Sequence, residues 1–344
     1  MVKKKATAAL PAASAAAPPA APQAAPSSPL PIAHYIPRLP LQLVAILFAI
    51  FGASSSVVKD DTIIGFPRVV AALTTAPLAV LPLACGLLAV VQTWFGYWIR
   101  SCRNEAIKAA KEGPKEENEK KAEPVKQKSG FRASFGKLWD NALKGEAPHQ
   151  TTWKSVNRKK AAGGLGVDTR FVPQAVTTTL GATAVFHVCA VLLGAPLASN
   201  VTETFLLSFL LAILAILPIS IAIPPFANMQ ERYVWLRLFS SLSPNDDLEF
   251  ALLVPSLGAL VGCWAGAIPI PLDWDRPWQK WPTTPILGAL LGYAAGSVLS
   301  LVVTAYRGAL RAAADVVRES KEQQQTADRA VGKKVAAAKG KKAQ

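Results

Sequence analysis

Long apolar runs, separated by polar segments, recur along this chain from residue 39 to residue 306. A helix of about 20 predominantly apolar residues is long enough to cross the hydrocarbon core of a bilayer. The pattern therefore predicts an all-α integral membrane protein, a bundle of six transmembrane helices. The predicted spans are residues 39–58, 75–99, 172–197, 202–226, 250–270 and 285–306.

Prolines interrupt two of these runs. Pro77 and Pro82 fall within the second run and Pro218 within the fourth. Proline removes a backbone donor and bends a helix, although neighbouring helices in a membrane bundle can satisfy the freed carbonyl groups. We therefore expect kinks at these three positions.

The polar segments complete the predicted domain organisation. Residues 1–38 are rich in alanine and proline and lack the compact apolar core of a signal peptide, so a disordered tail is expected. Residues 100–171 form a long basic loop, and residues 307–344 form a second basic, disordered tail. The membrane parts are residues 39–99, with the first two helices, and residues 172–306, with the last four.

Composition supports the membrane assignment, and the distribution of charge orients it. Of the 344 residues, 51% are hydrophobic and only 17% are charged, while the net charge is +15. Basic residues outnumber acidic ones in both tails and in the long loop. Because cytoplasmic segments of membrane proteins carry an excess of lysine and arginine, these three segments are predicted to be cytosolic. No recognisable nucleic-acid-binding module accompanies the charge, so no nucleic acid partner is expected.

The long loop contains one stretch with helical spacing. Phe131, Phe135, Leu138 and Trp139 recur on one side of a helix, with Arg132 outside that stripe. A short helix lying on the anionic leaflet and a partly disordered spacer both fit this pattern.

Candidate chemistry is sparse. The histidines His34, His149 and His187 share no local motif, and the four cysteines have no spacing typical of a disulfide framework or a zinc site. We expect His187 to be neutral and hydrogen-bonded within the bundle, although an ionisable residue inside a membrane is also a functional candidate. The sequence therefore predicts no catalytic residue, no metal and no cofactor in this chain.

Small residues recur at every fourth position in the last two predicted spans. In membranes, such strips let helix backbones approach closely. Either the two strips pack against each other within the chain, or one of them receives a helix of a partner subunit. The strips consist of Gly258, Gly262 and Gly266 in the fifth span and Gly288, Gly292, Gly296 and Ser300 in the sixth.

The turn between these spans is dense in tryptophan, proline and charge. Two interpretations are open. The tryptophans could form an interfacial belt with an aspartate paired to Arg276, or Arg276 could bind a phosphate or a partner carboxylate through two hydrogen bonds. The candidate contact residues are Asp273, Trp274, Asp275, Arg276, Pro277, Trp278 and Gln279.

The chain ends in Lys341, Lys342, Ala343 and Gln344, which places two lysines at the third and fourth positions from the end of a predicted cytosolic tail. This arrangement resembles a dilysine retrieval signal and favours the endoplasmic reticulum membrane.

The run from Gly262 to Gln279, followed by Trp281, Pro282 and the second glycine strip, resembles the C-terminal signature of the PIG-F family, called glycosylphosphatidylinositol (GPI) biosynthesis protein 11 in fungi. Trp235, Arg237, Phe239 and Ser240 are similar to a second, weaker element of that family.

The resemblance implies a non-catalytic subunit of the endoplasmic reticulum membrane. Such a subunit binds and stabilises the large transferases that add ethanolamine phosphate to mannoses of the GPI precursor, and those partners carry the metal and the nucleophile. One alternative is a lipid transporter or flippase with a polar cavity between the kinked second and fourth helices. Another is an enzyme with Asp273 and Asp275 as metal ligands, which would be a poor site because no histidine accompanies them.

Overall fold

All secondary structure in the described part of the chain is helical. In the computed structural model these residues are 30–58, 64–112, 171–196 and 198–342, the side chains of 109–112, 330 and 333–342 excepted. The helices are α1 Ile32–Val57, α2 Phe66–Thr75, α3 Pro77–Glu112, α4 Val172–Leu192, α5 Val201–Ala215, α6 Leu217–Ala222, α7 Met229–Ser240, α8 Asp247–Ala267 and α9 Thr283–Lys342, with a 3-10 turn at Pro277–Gln279.

Some predictions fall outside these residues. Residues 1–29 of the predicted tail are not described, nor are residues 113–170 of the long loop, which include the Phe131 stripe and His149. The side chains of Lys341 and Lys342 are likewise not described.

Within the described residues, α1, α3, α4, α8 and α9 are long and apolar enough to cross a membrane. This confirms the prediction of an all-α, multi-pass membrane protein. The predicted count of six spans is not confirmed, because the fourth is divided between α5, which has 15 residues, and α6, which has only 6.

The division between α5 and α6 follows from Pro218, the second residue of α6. Proline lacks an N–H donor and its ring clashes with the preceding turn, so the α5 ladder cannot continue unbroken through it. The hydroxyl of Ser256 on α8 donates to the Ala215 carbonyl at 2.8 Å, supplying a partner from a neighbouring helix. Before Pro218 the span is interrupted at one residue, Ile216, whereas Pro77 begins α3 and Pro82 lies inside it.

The broken segment packs tightly on α3. A Cβ built on Gly96 would lie 3.1 Å from Pro218 Cα and 3.1 Å from Ile221 Cβ. A side chain at this position would push the two elements apart, so α3 and α6 are in close contact here. The polar cavity that a flippase would need between these helices has no room at this level.

Apolar residues at helical spacing form the centre of the bundle. Leu81 and Leu88 on α3 and Leu210 and Leu214 on α5 are fully buried. A second apolar cluster, which includes Leu238 of α7, covers the end of the bundle where α3 leaves the apolar core. The centre and this end of the bundle are therefore both packed with buried apolar side chains.

The first and last helices are longer than the sequence predicts. α1 begins at Ile32, inside the predicted tail of residues 1–38, and accommodates Pro37 and Pro40. α9 continues to Lys342, so residues 307–342 are helical where disorder was expected. This extension is rich in alanine, glutamine, glutamate, lysine and arginine, which are strong helix formers.

Candidate functional site

The two glycine strips bring α8 and α9 into backbone contact. A Cβ built on Gly262 would lie 2.9 Å from Gly292 Cα and would collide with the Gly288 carbonyl oxygen. Gly258 faces Gly292 in the same way, and Gly266 faces the backbone at Thr284. As residue numbers increase along α8, the numbers of the facing residues on α9 decrease. The two helices therefore form an antiparallel hairpin.

This contact decides how the glycine groove is used in the structure. Of the two arrangements that the spacing leaves open, packing within the chain is the one observed, and backbone atoms of the opposite helix fill each strip. A partner helix would have to contact another face of the hairpin. Ser300 continues the four-residue spacing, but its hydroxyl lies 3.2 Å from that of Tyr35 on α1.

A second face of α9 is lined by buried hydroxyl groups and joins α1 and α3. The Gln42 amide donates to Tyr293 Oη at 2.8 Å and to Gln92 Oε1 at 2.9 Å. Residues 35 and 42 on α1 pair with residues 300 and 293 on α9, seven apart on each helix, so these helices are also antiparallel. Sequence reasoning missed this network, and its only sequence signal is a lone glutamine inside each of two apolar runs.

Gln279 holds the turn between α8 and α9. Its amide nitrogen donates to the carbonyl groups of Pro269 and Leu272, both at 2.7 Å. Its side-chain oxygen accepts from the Arg276 backbone N–H at 2.8 Å. One side chain therefore ties three parts of the turn together.

The end of the turn is also attached to two other helices. Lys280 Nζ donates to the Thr74 carbonyl at the end of α2 at 2.9 Å. Trp281 Nε1 donates to the Thr204 hydroxyl of α5 at 3.0 Å. The turn is thus fixed relative to the bundle as well as within itself.

The charged and aromatic side chains of the turn point outward. Asp273, Trp274, Asp275 and Arg276 are exposed, and the rings of Trp274 and Trp278 lie 5.7 Å apart at 60°. The aspartate–Arg276 ion pair of the first interpretation is not formed among these residues. The hydrogen bond between residues 276 and 279 instead joins the Arg276 backbone N–H to the Gln279 side chain. The exposed carboxylates and guanidinium are available to an external group.

Ion pairs with buried carboxylates join the helices at the opposite end of the bundle, which we call the charged end. Arg103 of α3 pairs with Glu231 of α7 at 2.7 Å. Arg237 of α7 pairs with Glu249 of α8 at 2.6 Å. The Asp247 carboxylate, 1% exposed, pairs with arginines 307 and 311 of α9.

Trp235, another residue of the weaker family element, also has a structural contact. Its indole Nε1 donates to the Ile223 carbonyl at 2.5 Å, and Arg100 donates to the neighbouring Ile221 carbonyl at 3.3 Å. These donors satisfy carbonyl groups that the end of α6 leaves without helical partners. Trp235, like Arg237, is therefore a structural residue that orients α7 against the bundle.

The described residues contain no group of three histidine, cysteine, aspartate or glutamate side chains close enough to hold a metal ion. His187 lies against Phe205, with ring centroids 6.2 Å apart, and its Nδ1 is buried without a hydrogen-bond partner. The expectation of a hydrogen-bonded His187 is wrong, because α4 presents it to an apolar part of α5.

The family model described as "GPI biosynthesis protein family Pig-F" matches residues 61–301, which include α2 to α8 and the membrane part of α9. The chain belongs to the Pig-F family. The resemblance inferred from the C-terminal residues is therefore confirmed, and both the glycine hairpin and the turn lie inside the matched region of this Pig-F protein.

Named relatives show the same relationship. A human protein called "GPI ethanolamine phosphate transferase, stabilizing subunit" is 44% identical over 115 residues, which cover 33% of this chain and 50% of the relative. A Pyricularia oryzae protein called "Glycosylphosphatidylinositol anchor biosynthesis protein 11" is 34% identical over 176 residues, 51% of this chain and 59% of the relative. The chain thus spans about half the length of these curated relatives. No solved structure matches it.

Proposed function

We propose that this Pig-F protein is a non-catalytic membrane subunit that binds and stabilises the large transferases adding ethanolamine phosphate to mannoses of the GPI precursor. The observation that carries the proposal is its membership of the Pig-F family, together with a human relative whose name is that of a stabilizing subunit. The chain needs neither a cofactor nor a metal of its own for this role, since the reacting groups belong to the partner.

The construction of the α8–α9 hairpin supports a scaffold. Six glycines hold the two helices in backbone contact, so the pair behaves as one rigid unit. The outer faces of both helices stay uncovered, with Trp264 62% exposed and Leu291 66% exposed. In this proposal, one of those outer faces contacts the membrane domain of the transferase and the rest contact membrane lipids.

The turn is the proposed contact with the lumenal part of the complex. Asp273, Trp274, Asp275, Arg276, Pro277, Trp278 and Gln279 would lie beside the base of the catalytic domain or at the headgroups of the lipid-linked substrate. An exposed guanidinium can bind a phosphate or a carboxylate through two parallel hydrogen bonds. The hydrogen bonds of Gln279 would hold the backbone that carries this side chain.

Co-purification from gently solubilised membranes tests the proposal directly. We expect the tagged chain to carry an ethanolamine-phosphate transferase with it, and we expect the purified chain alone to transfer no ethanolamine phosphate. Recovery of the chain without a transferase, or activity of the isolated chain, would contradict the proposal.

Arg276→Ala separates two roles of the turn within that assay. Lower transferase activity with unchanged co-purification indicates contact with substrate, whereas loss of both indicates docking. Arg318→Ala is the matched control, because it also removes one positive charge, from an exposed position on the α9 extension.

We also propose that the protein resides in the endoplasmic reticulum membrane with both termini in the cytosol. The excess of basic residues in the terminal segments supports this orientation. Lys341 and Lys342 would act as the retrieval signal. Replacing both by alanine should move the chain to later compartments, as seen by fluorescence microscopy, and an unchanged distribution would argue against retrieval.

A further inference from the structure

Helix α7 crosses the charged end of the bundle and is fixed at both of its ends. Its first turn is held by the Arg103–Glu231 ion pair to α3, and its last turn by the Arg237–Glu249 pair to α8. Asn228 caps its N-terminus by accepting from the Glu231 backbone N–H at 2.9 Å. The rotation of α7 about its own axis is therefore set by its contacts.

The face of α7 that points away from the bundle is apolar. Leu238 and Glu231 are buried against the neighbouring helices, whereas Met229, Tyr233 and Leu236 are 78%, 66% and 69% exposed. At 100° per residue these three side chains fall on the side opposite Leu238. They form a continuous stripe, which we call the outer stripe of α7.

The depth of α7 indicates what covers the outer stripe. Its ion-pair partners, Arg103 and Glu249, lie where the apolar parts of α3 and α8 meet the first charged residues, which is the level of lipid headgroups. Tyr97 of α3 and Tyr306 of α9 are exposed near the same end, at 42% and 65%. Exposed aromatic rings at this depth are typical of the belt that surrounds membrane proteins.

The residues beside the outer stripe are also those of an interfacial helix. Gln230 and Arg232 are exposed on the two flanks of α7, between the buried face and the stripe. Phe226 before the helix and Leu242 after it are 59% and 50% exposed and extend the apolar surface at both ends. An apolar stripe with polar flanks and a basic residue fits the boundary between headgroups and acyl chains.

We propose that α7 is an in-plane membrane anchor whose outer stripe inserts into the headgroup region of one leaflet. The occupant of this surface is lipid, continuous with the lipid around the transmembrane helices. The inference does not depend on the proposed function, because it concerns the chain alone in a bilayer.

Site-directed spin labelling of the full chain in lipid nanodiscs tests the anchor. In a background with the four native cysteines replaced by alanine, L236C and M229C carry a nitroxide on the outer stripe. L291C on the exposed mid-membrane face of α9 is the lipid control, and Q323C on the exposed α9 extension is the water control. Circular dichroism and gel filtration show whether each variant retains the fold.

The measurement is the rate at which the nitroxide collides with oxygen divided by the rate at which it collides with a water-soluble nickel chelate. Oxygen concentrates in lipid, so a high ratio indicates a label in the membrane. For L236C and M229C we expect ratios well above that of Q323C and below that of L291C, as for labels just inside the interface. Ratios equal to that of Q323C would mean that the stripe faces water, ready for a protein partner, and would overturn the proposal. Low collision rates with both reagents would mean that protein covers the stripe, and would overturn it too.

Discussion

Replacing Gly292 by alanine should destabilise the protein, because the added methyl group has no space between α8 and α9. Residue 292 faces the opposite helix so closely that an added Cβ would lie 2.9 Å from the Gly258 carbonyl carbon and 2.9 Å from Gly262 Cα. All of the obstructing atoms are backbone atoms, so no side chain can rotate away. The two helices must separate to admit the methyl group.

The size of the effect follows from that separation. Carbon atoms attract best at about 3.5–4.0 Å, so the helices must move apart by about 0.6 Å or more, and a gap of that size forfeits about a quarter of each nearby contact. Forcing a methyl group into a well-packed interface typically costs about 1–3 kcal/mol. We expect a loss in this range, which is roughly a 5- to 150-fold change in the unfolding equilibrium.

Gly181→Ala is the matched control. Gly181 also lies in the middle of an apolar helix, and nothing lies within 4 Å of a Cβ built there. Alanine has the higher helix propensity, so this change should be neutral or slightly stabilising. Unfolding of both variants in mixed detergent micelles, followed by tryptophan fluorescence, gives the comparison. Equal stabilities would refute the reasoning that α8 and α9 meet through their backbones.

Two further changes probe the other helix contacts. Glu249→Ala leaves the buried guanidinium of Arg237 without its carboxylate and should cost about 3–5 kcal/mol in the same unfolding assay. Glu322→Ala removes an exposed ion pair and should leave the free energy of unfolding unchanged. An equal loss of stability in the two variants would contradict the role of burial. Tyr293→Phe removes the hydroxyl that accepts from Gln42 and should cost about 0.5–1.5 kcal/mol, whereas unchanged stability would show that this hydrogen bond contributes nothing.

The parts of the fold that sequence predicts are those determined by local composition. Apolar runs of sufficient length locate the membrane helices because a bilayer imposes the same length on each of them. The spacing of Gly258, Gly262 and Gly266 marks a helix face that permits close approach. This pattern can be read from the sequence because all three residues lie on neighbouring turns of one helix. Pro218 marks the interruption of the fourth span, although only the structure shows that the span is divided into two helices.

The parts that sequence does not predict depend on residues far apart in the chain. Gln42 lies 50 residues from Gln92 and 251 residues from Tyr293, and nothing local indicates that these side chains meet. The same holds for Arg103 and Glu231, which are 128 residues apart. The segment of α7 lies between the fourth and fifth predicted spans, because its mixture of polar and apolar residues contains no apolar run long enough for a membrane span.

The two faces of α9 make different kinds of contact. Its glycine face contacts α8 through backbone atoms, so the strength of that contact depends on distance and shape along its whole length. Its hydroxyl face, with Tyr293 and Ser300, contacts α1 and α3 through directional hydrogen bonds that fix rotation and register. A helix held in both ways can neither slide nor turn. The turn before α9 therefore has a defined position relative to the bundle, which the proposed contact with a transferase requires.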